Sequence, residues 1–483
     1  MTQQAVGTLA FDFEGCRPVQ IEVSNAPLTS DAGLLLFRQL DEQLRITEQF
    51  SAVLHDDRDP QQIVHSVPQL LRQRVYGILA DYQDQNDHDA LRKDPAFKLL
   101  AGRLPDGRDL ASQPTLSRFE NAVSIADLWI LRDVLMDVFI QSFAEPPRHL
   151  TLDLDAFDDS THGHQQLTLF HGFYGQYQYL PLMFTCAENK LPLLVGLRHG
   201  TATASLGADD DLQYLVGRLR AAWPDVDIHV RGDAGFGLPL MYDVCEQLGV
   251  CYTFGLAMNK VLQRLSDDLL AEAQHRFQET GEPQRLFQLV DYQAGSWPQE
   301  RPVVIKVEAH AEGTNRRAVV TNRPGVRVLP EGVYEEYAMR GESENRNKEL
   351  KCGLQADRLS DQRFVANFLR LYLHTIAYVL LIRARHVVAL PLPTASAAGV
   401  DSDLPPETLP EPDRRDYFNH RRRSDPLGAG HIETWRSRIL KVAAEIVVSA
   451  RRIVVKISAT WPHLADFQRV LEAIRALPQL RTG

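Results

Sequence analysis

Four aspartates crowd the stretch TLDLDAFDDSTHGHQ: Asp153, Asp155, Asp158 and Asp159. Leu152 and Leu154 alternate with the first two, the period-two pattern of a strand with one apolar face. Asp153 and Asp155 therefore share the other face, where two carboxylates repel unless a cation lies between them. A further aspartate, Asp233, closes a second apolar strand in HVRGDAGF, with Gly232 and Gly235 beside it to permit a sharp turn or a close approach. Two acids at the ends of neighbouring strands, joined by a third from a helix, make the hard, oxygen-rich pocket that Mg²⁺ or Mn²⁺ prefers. With two such ions an enzyme activates water or a 3′-hydroxyl and steadies the leaving oxygen of an in-line phosphoryl transfer. Singly, each aspartate suits a strand end or a turn just as well. Their joint placement is what points to chemistry.

The third acid comes from the charged segment YEEYAMRGESENRNKELK. Tyr337, Arg340, Glu344 and Lys351 recur at steps of three, four and seven, which return to one face of a helix. One stripe then presents a phenol, a guanidinium, a carboxylate and an ammonium. Glu344 can reach a metal while Arg340 and Lys351 hold phosphates. Gly341 weakens the helix locally, so it can start later than the stripe suggests.

The elements that must position these residues follow from the texture of the chain. Residues 1–147 read as a mainly helical region. Over 148–390 come three strand-like runs, then helix, strand, helix and strand, a mixed α/β sheet. A β-rich insertion is expected at 258–325, ahead of the charged helix. The apolar run FVANFLRLYLHTIAYVLLIRARHVV is interrupted by Asn367, Arg370, His374 and Arg383, so it reads as a buried helix and not a membrane span. Residues 391–415 are rich in Pro, Ala and acids and read as a disordered linker; 416–483 read as a basic C-terminal tail.

The net charge is −11, but from Arg414 to Lys456 there are eleven Lys or Arg against four acids, a pattern that suits either a solvated face or a polyanion footprint. Five scattered cysteines without a CxxC pair exclude a disulfide framework and fit a reducing cytoplasm. The start, MTQQAVGTLAFDFEG, holds neither a basic region nor an apolar run, so no signal peptide is expected. His162, His164 and His171 lack the neighbours of a zinc site and read as structural or DNA-facing. If the basic segment marks a nucleic-acid partner, Trp297 could stack on an unpaired base and Arg118, in ASQPTLSRFE, could reach the backbone from a polar helix start.

The spacing Y-x2-R-x3-E-x6-K, after two strand-end aspartates, resembles the signature of bacterial DDE transposases with a ribonuclease-H-like catalytic domain. The resemblance is closest to the transposases of insertion-sequence family 1380 and spans nearly the whole chain, through QRVYGILADYQDQNDHDALRKDP, ASQPTLSRFEN, LDLDAFDDSTHGHQ, VRGDAGF, ENRNKELK and RSRILKVAAEIVVSARRIVVKI. It implies Asp155, Asp233 and Glu344 as a triad binding Mg²⁺ or Mn²⁺, two ions in all, with Tyr337, Arg340 and Lys351 on DNA near the scissile phosphate. Phe157 stands where related enzymes carry Thr or Ser, which keeps Asp153 as an alternative first ligand. The implied partners are double-stranded DNA, at the element's terminal inverted repeats and at the target, and a second copy of the chain in a synaptic homodimer; no membrane partner is expected. A nuclease without strand transfer and a catalytically inactive DNA-binding or architectural protein are the alternatives. LDLDAF also resembles the start of haloacid-dehalogenase-type phosphatases, but Gly237 stands where their later motif needs an acid.

Overall fold

Leu150, Leu152 and Leu154 alternate along strand β1 (His149–Ala156) and are wholly buried. Each contributes about 1.5–3 kcal/mol by leaving water. Thr151 and Asp153, on the other face, are buried too, which marks a central strand covered on both sides. The computed structural model describes residues 9–11, 17, 19–21, 23–161, 163–391, 409 and 411–478. His162 and, within the expected linker, 392–408 and 410 lie outside the described residues.

Strands β2 (Leu182–Cys186) and β3 (Pro192–Gly196) run antiparallel beside β1. Helix α1 (Ala208–Ala222) leads to β4 (Asp227–Gly232), and α2 (Pro239–Leu248) leads to β5 (Cys251–Leu256). β4 and β5 lie parallel to β1, giving the order β3-β2-β1-β4-β5. This is the ribonuclease-H-like mixed sheet expected from the sequence.

Residues 258–325 do not form a layer of their own. After helix α3 (Asp267–Thr280), strands β6 (Gln284–Tyr292), β7 (Arg301–His310) and β8 (Gly313–Thr321) form an antiparallel meander. β8 pairs with the free edge of β5, so the insertion extends the central sheet to eight strands. An unpaired edge is a liability, and the insertion covers it.

The charged segment is not one helix. Helix α4 (Pro330–Ala338) ends in a tight turn, with Arg340 N–H on Tyr337 O at 2.9 Å, and α5 (Gly341–Lys348) restarts at the glycine. Glu349–Gly353 then widen into a π turn. Its start is tethered by Glu349, which accepts from Arg385 (2.7 Å) and from Ile432 N–H (2.8 Å), and its exit by His374, which donates to Leu354 O at 2.8 Å.

Helix α6 (Phe364–Val388) is long and apolar enough to cross a bilayer, yet it runs through the protein core, as its interruptions suggested. It packs against Val67–Leu79 and Gln113–Ala122 of the helical N-terminal region, against β3, and against the helix Leu464–Arg475. Arg370 on α6 and Arg74 on Val67–Leu79 both hold the buried Glu120, at 2.6 and 2.7 Å. The basic C-terminal segment packs onto the rest of the chain. Ala444–Val448 pairs with Leu28–Thr29 and Ile453–Ile457, Trp435 is buried against Phe37, and Arg436 donates to Ile78 and Leu79 carbonyls. Its apolar residues, and not its net charge, decide its place.

Candidate active site

The register of β1 and β4 brings the two strand-end aspartates together. Arg231 lies beside Asp153 and Gly232 beside Leu154. One residue further, the chains leave the ladder with Asp233 next to Asp155. Asp155 Oδ1 accepts from the Ala156 N–H (2.9 Å) and Oδ2 from Asn347 Nδ2 on α5 (2.7 Å). Asp233 Oδ1 accepts from the Gly235 N–H at 2.8 Å. The Asp155 side chain is only 15% exposed. Burial pushes its carboxyl up to about 6; Arg340 opposes that rise and the Asp233 charge adds to it.

Arg340 stands among the acids. One nitrogen lies 3.8 Å from Asp155 Oδ2 and another donates to Glu344 Oε1 at 2.6 Å, one turn along. Burial works against its charge, but Tyr337, Asp155, Glu344 and Asp233 together hold its pKa above the usual arginine value. The Tyr337 hydroxyl and the chain just past Asp233 both close on Gly255. A Cβ on Gly255 would stand 2.9 Å from the Tyr337 hydroxyl and 2.8 Å from Ala234 N, so only glycine lets the two approach. Glu344 is 61% exposed and turned toward Arg340. Among the described residues no three His, Cys, Asp or Glu side chains converge as a metal cage. Asp155 and Asp233 nevertheless offer the hard oxygen donors that suit a divalent cation, whose charge would offset the burial that raises Asp155 and the smaller contribution of the Asp233 charge.

Asp153, the alternative first ligand, sits in different surroundings from Asp155. It is wholly buried, with both oxygens bound by Arg231 at 2.7 and 2.9 Å and Arg346 at 3.4 Å from Oδ2. The cation between the paired acids is, at this position, a guanidinium.

A family model described as transposase DDE domain group 1 matches residues 11–400. The chain belongs to that family. No curated protein matches this transposase. It is similar to a solved structure, the cryo-EM synaptic complex of piggyBac transposase with hairpin DNA: 14% identity, 86% of this chain and 88% of that one covered, TM-score 0.39.

Other residues of the transposase fall differently from expectation. Lys351 does not continue the Tyr–Arg–Glu stripe, because the π turn redirects it to Asp158, at 2.6 Å. Trp297 cannot stack on DNA as expected. It is buried among Tyr242 and Tyr292, ring centroids 5.3 and 5.4 Å away, with the Arg301 guanidinium at 5.8 Å. Arg118 is exposed on Gln113–Ala122 and donates to Thr115; among the described residues it has no bond to the acids. His164 is exposed and His171 packs on Tyr174 at 5.0 Å; among the described residues no metal cage surrounds either. Sequence reasoning missed Arg231, Arg346 and Asn347. A signal for two of them was present: Arg231-x-Asp233 mirrors Asp153-x-Asp155, and Asn347 sits three residues after Glu344 on the same helical face.

Proposed function

We propose that this transposase, as a member of insertion-sequence family 1380, cuts double-stranded DNA at the terminal inverted repeats of its element and joins the freed 3′ ends to target DNA. The observation that carries the reading is the pairing of Asp155 and Asp233 at adjacent strand ends, with Arg340 against them. A divalent cation, Mg²⁺ or Mn²⁺ and two ions in all, would be held by Asp155, Asp233 and Glu344, and supplies Lewis-acid stabilisation of an in-line phosphoryl transfer. Arg340 is placed to bind a phosphate oxygen, and its buried guanidinium keeps its charge throughout. Asn347 orients the Asp155 carboxylate, and Tyr337 buttresses the backbone that carries Asp233. The helical region 1–147 would hold the element ends. Bringing two ends together calls for a homodimer, acting in the bacterial cytoplasm on nucleoid DNA.

The test is metal-dependent cleavage of a duplex carrying the element's terminal repeat, with wild type beside Asp155→Ala, Asp233→Ala and Glu344→Ala. Wild type should nick at the repeat boundary and give joined products, while the three variants bind without cutting. Cutting with no joined product would make it a nuclease. Specific binding without cutting in any divalent metal would make it an architectural protein.

A further inference from the structure

Between β1 and β2 the chain forms a hairpin, Leu169–His171 against Gln176–Tyr179, whose far strand also pairs with Asp159–Ser160. It displays four aromatic rings to solvent: Phe170, Phe173, Tyr174 and Tyr177, with Phe173 at the tip 84% exposed. Exposed aromatics in a cluster are uncommon on a soluble surface and mark an interaction site. The rings brace one another edge to face, Phe170 on Tyr177 at 5.5 Å and Phe173 on Tyr174 at 5.0 Å.

The base of the hairpin is anchored. Gly200 N–H donates to Leu167 O at 3.1 Å, and a Cβ on Gly200 would stand 2.2 Å from both the Leu169 and Gln178 carbonyl oxygens. Only glycine lets the two chains lie this close. Tyr179 adds a hydrogen bond to Gln166 O at 2.6 Å. A rigid, exposed ring loses little freedom when something stacks on it.

The hairpin is also tied to the catalytic centre. Lys351 Nζ donates to Asp158 Oδ1 (2.6 Å), and Asp158 Oδ2 accepts from Gln176 Nε2 (3.0 Å) in the hairpin itself. The phenol of Tyr174 is raised by burial and by the charges of Asp158, Asp233 and Asp155, so it lies within the field of the acids. From Gly163 to Tyr179 there is no Asp, Glu, Lys or Arg. The hairpin therefore brings no charge to a phosphate backbone, only π faces.

We infer that this hairpin is a stacking platform for bases left unpaired at the DNA end next to the catalytic aspartates. The inference rests on the reading of the site as a DNA-cutting centre. Paired bases keep their faces in the helical stack, so an aromatic platform selects the open end of a duplex, and it does so without regard to sequence. A second copy of the chain fits the surface less well. At about 150–250 Å² for a whole ring, the exposed parts of four rings come to roughly 500 Å², short of the about 800 Å² per partner of a standard protein interface.

The probe is a forked duplex of arbitrary sequence whose first unpaired base is 2-aminopurine, beside its fully paired counterpart. The proteins are full-length wild type, Phe173→Ala, Phe173→Trp and the Phe170→Ala/Tyr177→Ala pair. Stacking should quench the fluorophore on wild type. Phe173→Ala should weaken forked-duplex binding about tenfold, leaving the paired duplex unchanged, and Phe173→Trp should restore it. Equal quenching and affinity in all four proteins, with the forked duplex bound, would overturn the platform and leave the catalytic reading standing. Wild type that binds neither duplex would bring down the catalytic reading itself. Loss of a DNA-free dimer in the alanine variants, with quenching intact, would assign the rings to contact between copies and refute the inference.

Discussion

Asp153 and Asp155 are two residues apart on one strand face, and exchanging each for asparagine should have opposite effects on stability. Asp155 is raised from 3.8 to about 6, so ionising it in the folded protein costs roughly 3 kcal/mol at about 1.4 kcal/mol per unit. The folded state holds the proton more tightly than the unfolded one. The penalty is therefore absent below the unfolded value of 3.8, grows through the window up to about 6, and is full at neutral pH. Asp155→Asn removes it, less whatever the Ala156 and Asn347 hydrogen bonds lose, and should stabilise by about 1–3 kcal/mol near neutral pH and by little near pH ~4. Asp153→Asn strips a charge from the wholly buried pair with Arg231 and should cost about 3 kcal/mol or more, since it leaves a buried guanidinium uncompensated. Urea midpoints of the two variants and wild type, in chelator, measure both effects, and DNA cleavage is followed in parallel. Cleavage should be lost in Asp155→Asn despite its greater stability. A neutral Asp153→Asn together with an Asp155→Asn that melts below wild type would refute the assignment and move the first ligand back two residues.

Saturating Mg²⁺ should raise the melting midpoint of wild type, the gain in stability being about 2.7 kcal/mol at a hundredfold excess over Kd. It should leave Asp155→Asn and Asp233→Asn unmoved; equal shifts in all three would place the ion elsewhere. Glu120, buried between Arg74 and Arg370, is held down to about 2 because those guanidinia outweigh its burial. That stability is present above its usual 4.5 and is lost as the pH falls toward 2. Glu120→Gln should cost about 3–5 kcal/mol at neutral pH and flatten the acid limb of the melting curve. Trp297→Ala should cost about 3–5 kcal/mol by emptying a buried ring site. Titrated at a temperature where it is folded, it should bind DNA as wild type does; a loss of DNA affinity there would contradict the burial of Trp297.

Much of the site was legible in the residues alone. Alternation of leucine with aspartate marked β1, apolar residues before a glycine-flanked acid marked the end of β4, and the three- and four-residue steps joined Arg340 to Glu344, which bond across one turn. These are local periodicities, carried by the backbone geometry of a few residues. What the residues could not reveal depends on partners far along the chain. The different surroundings of Asp153 and Asp155 come from the β1–β4 register, which hands Asp153 to Arg231 and leaves Asp155 beside Asp233. Lys351 obeyed the spacing, yet a π turn pinned by Arg385, His374 and Ile432 aimed it at Asp158. A single tryptophan reads alike whether buried or exposed, and only the packing of Tyr242 and Tyr292 placed Trp297 inside. The basic segment read as a tail because charge is visible residue by residue, whereas its pairing with Leu28–Thr29 joins opposite ends of the chain. Side-chain type and spacing determined which elements form and which residues can do chemistry; register and burial, set by contacts between distant segments, decided which of those residues meet.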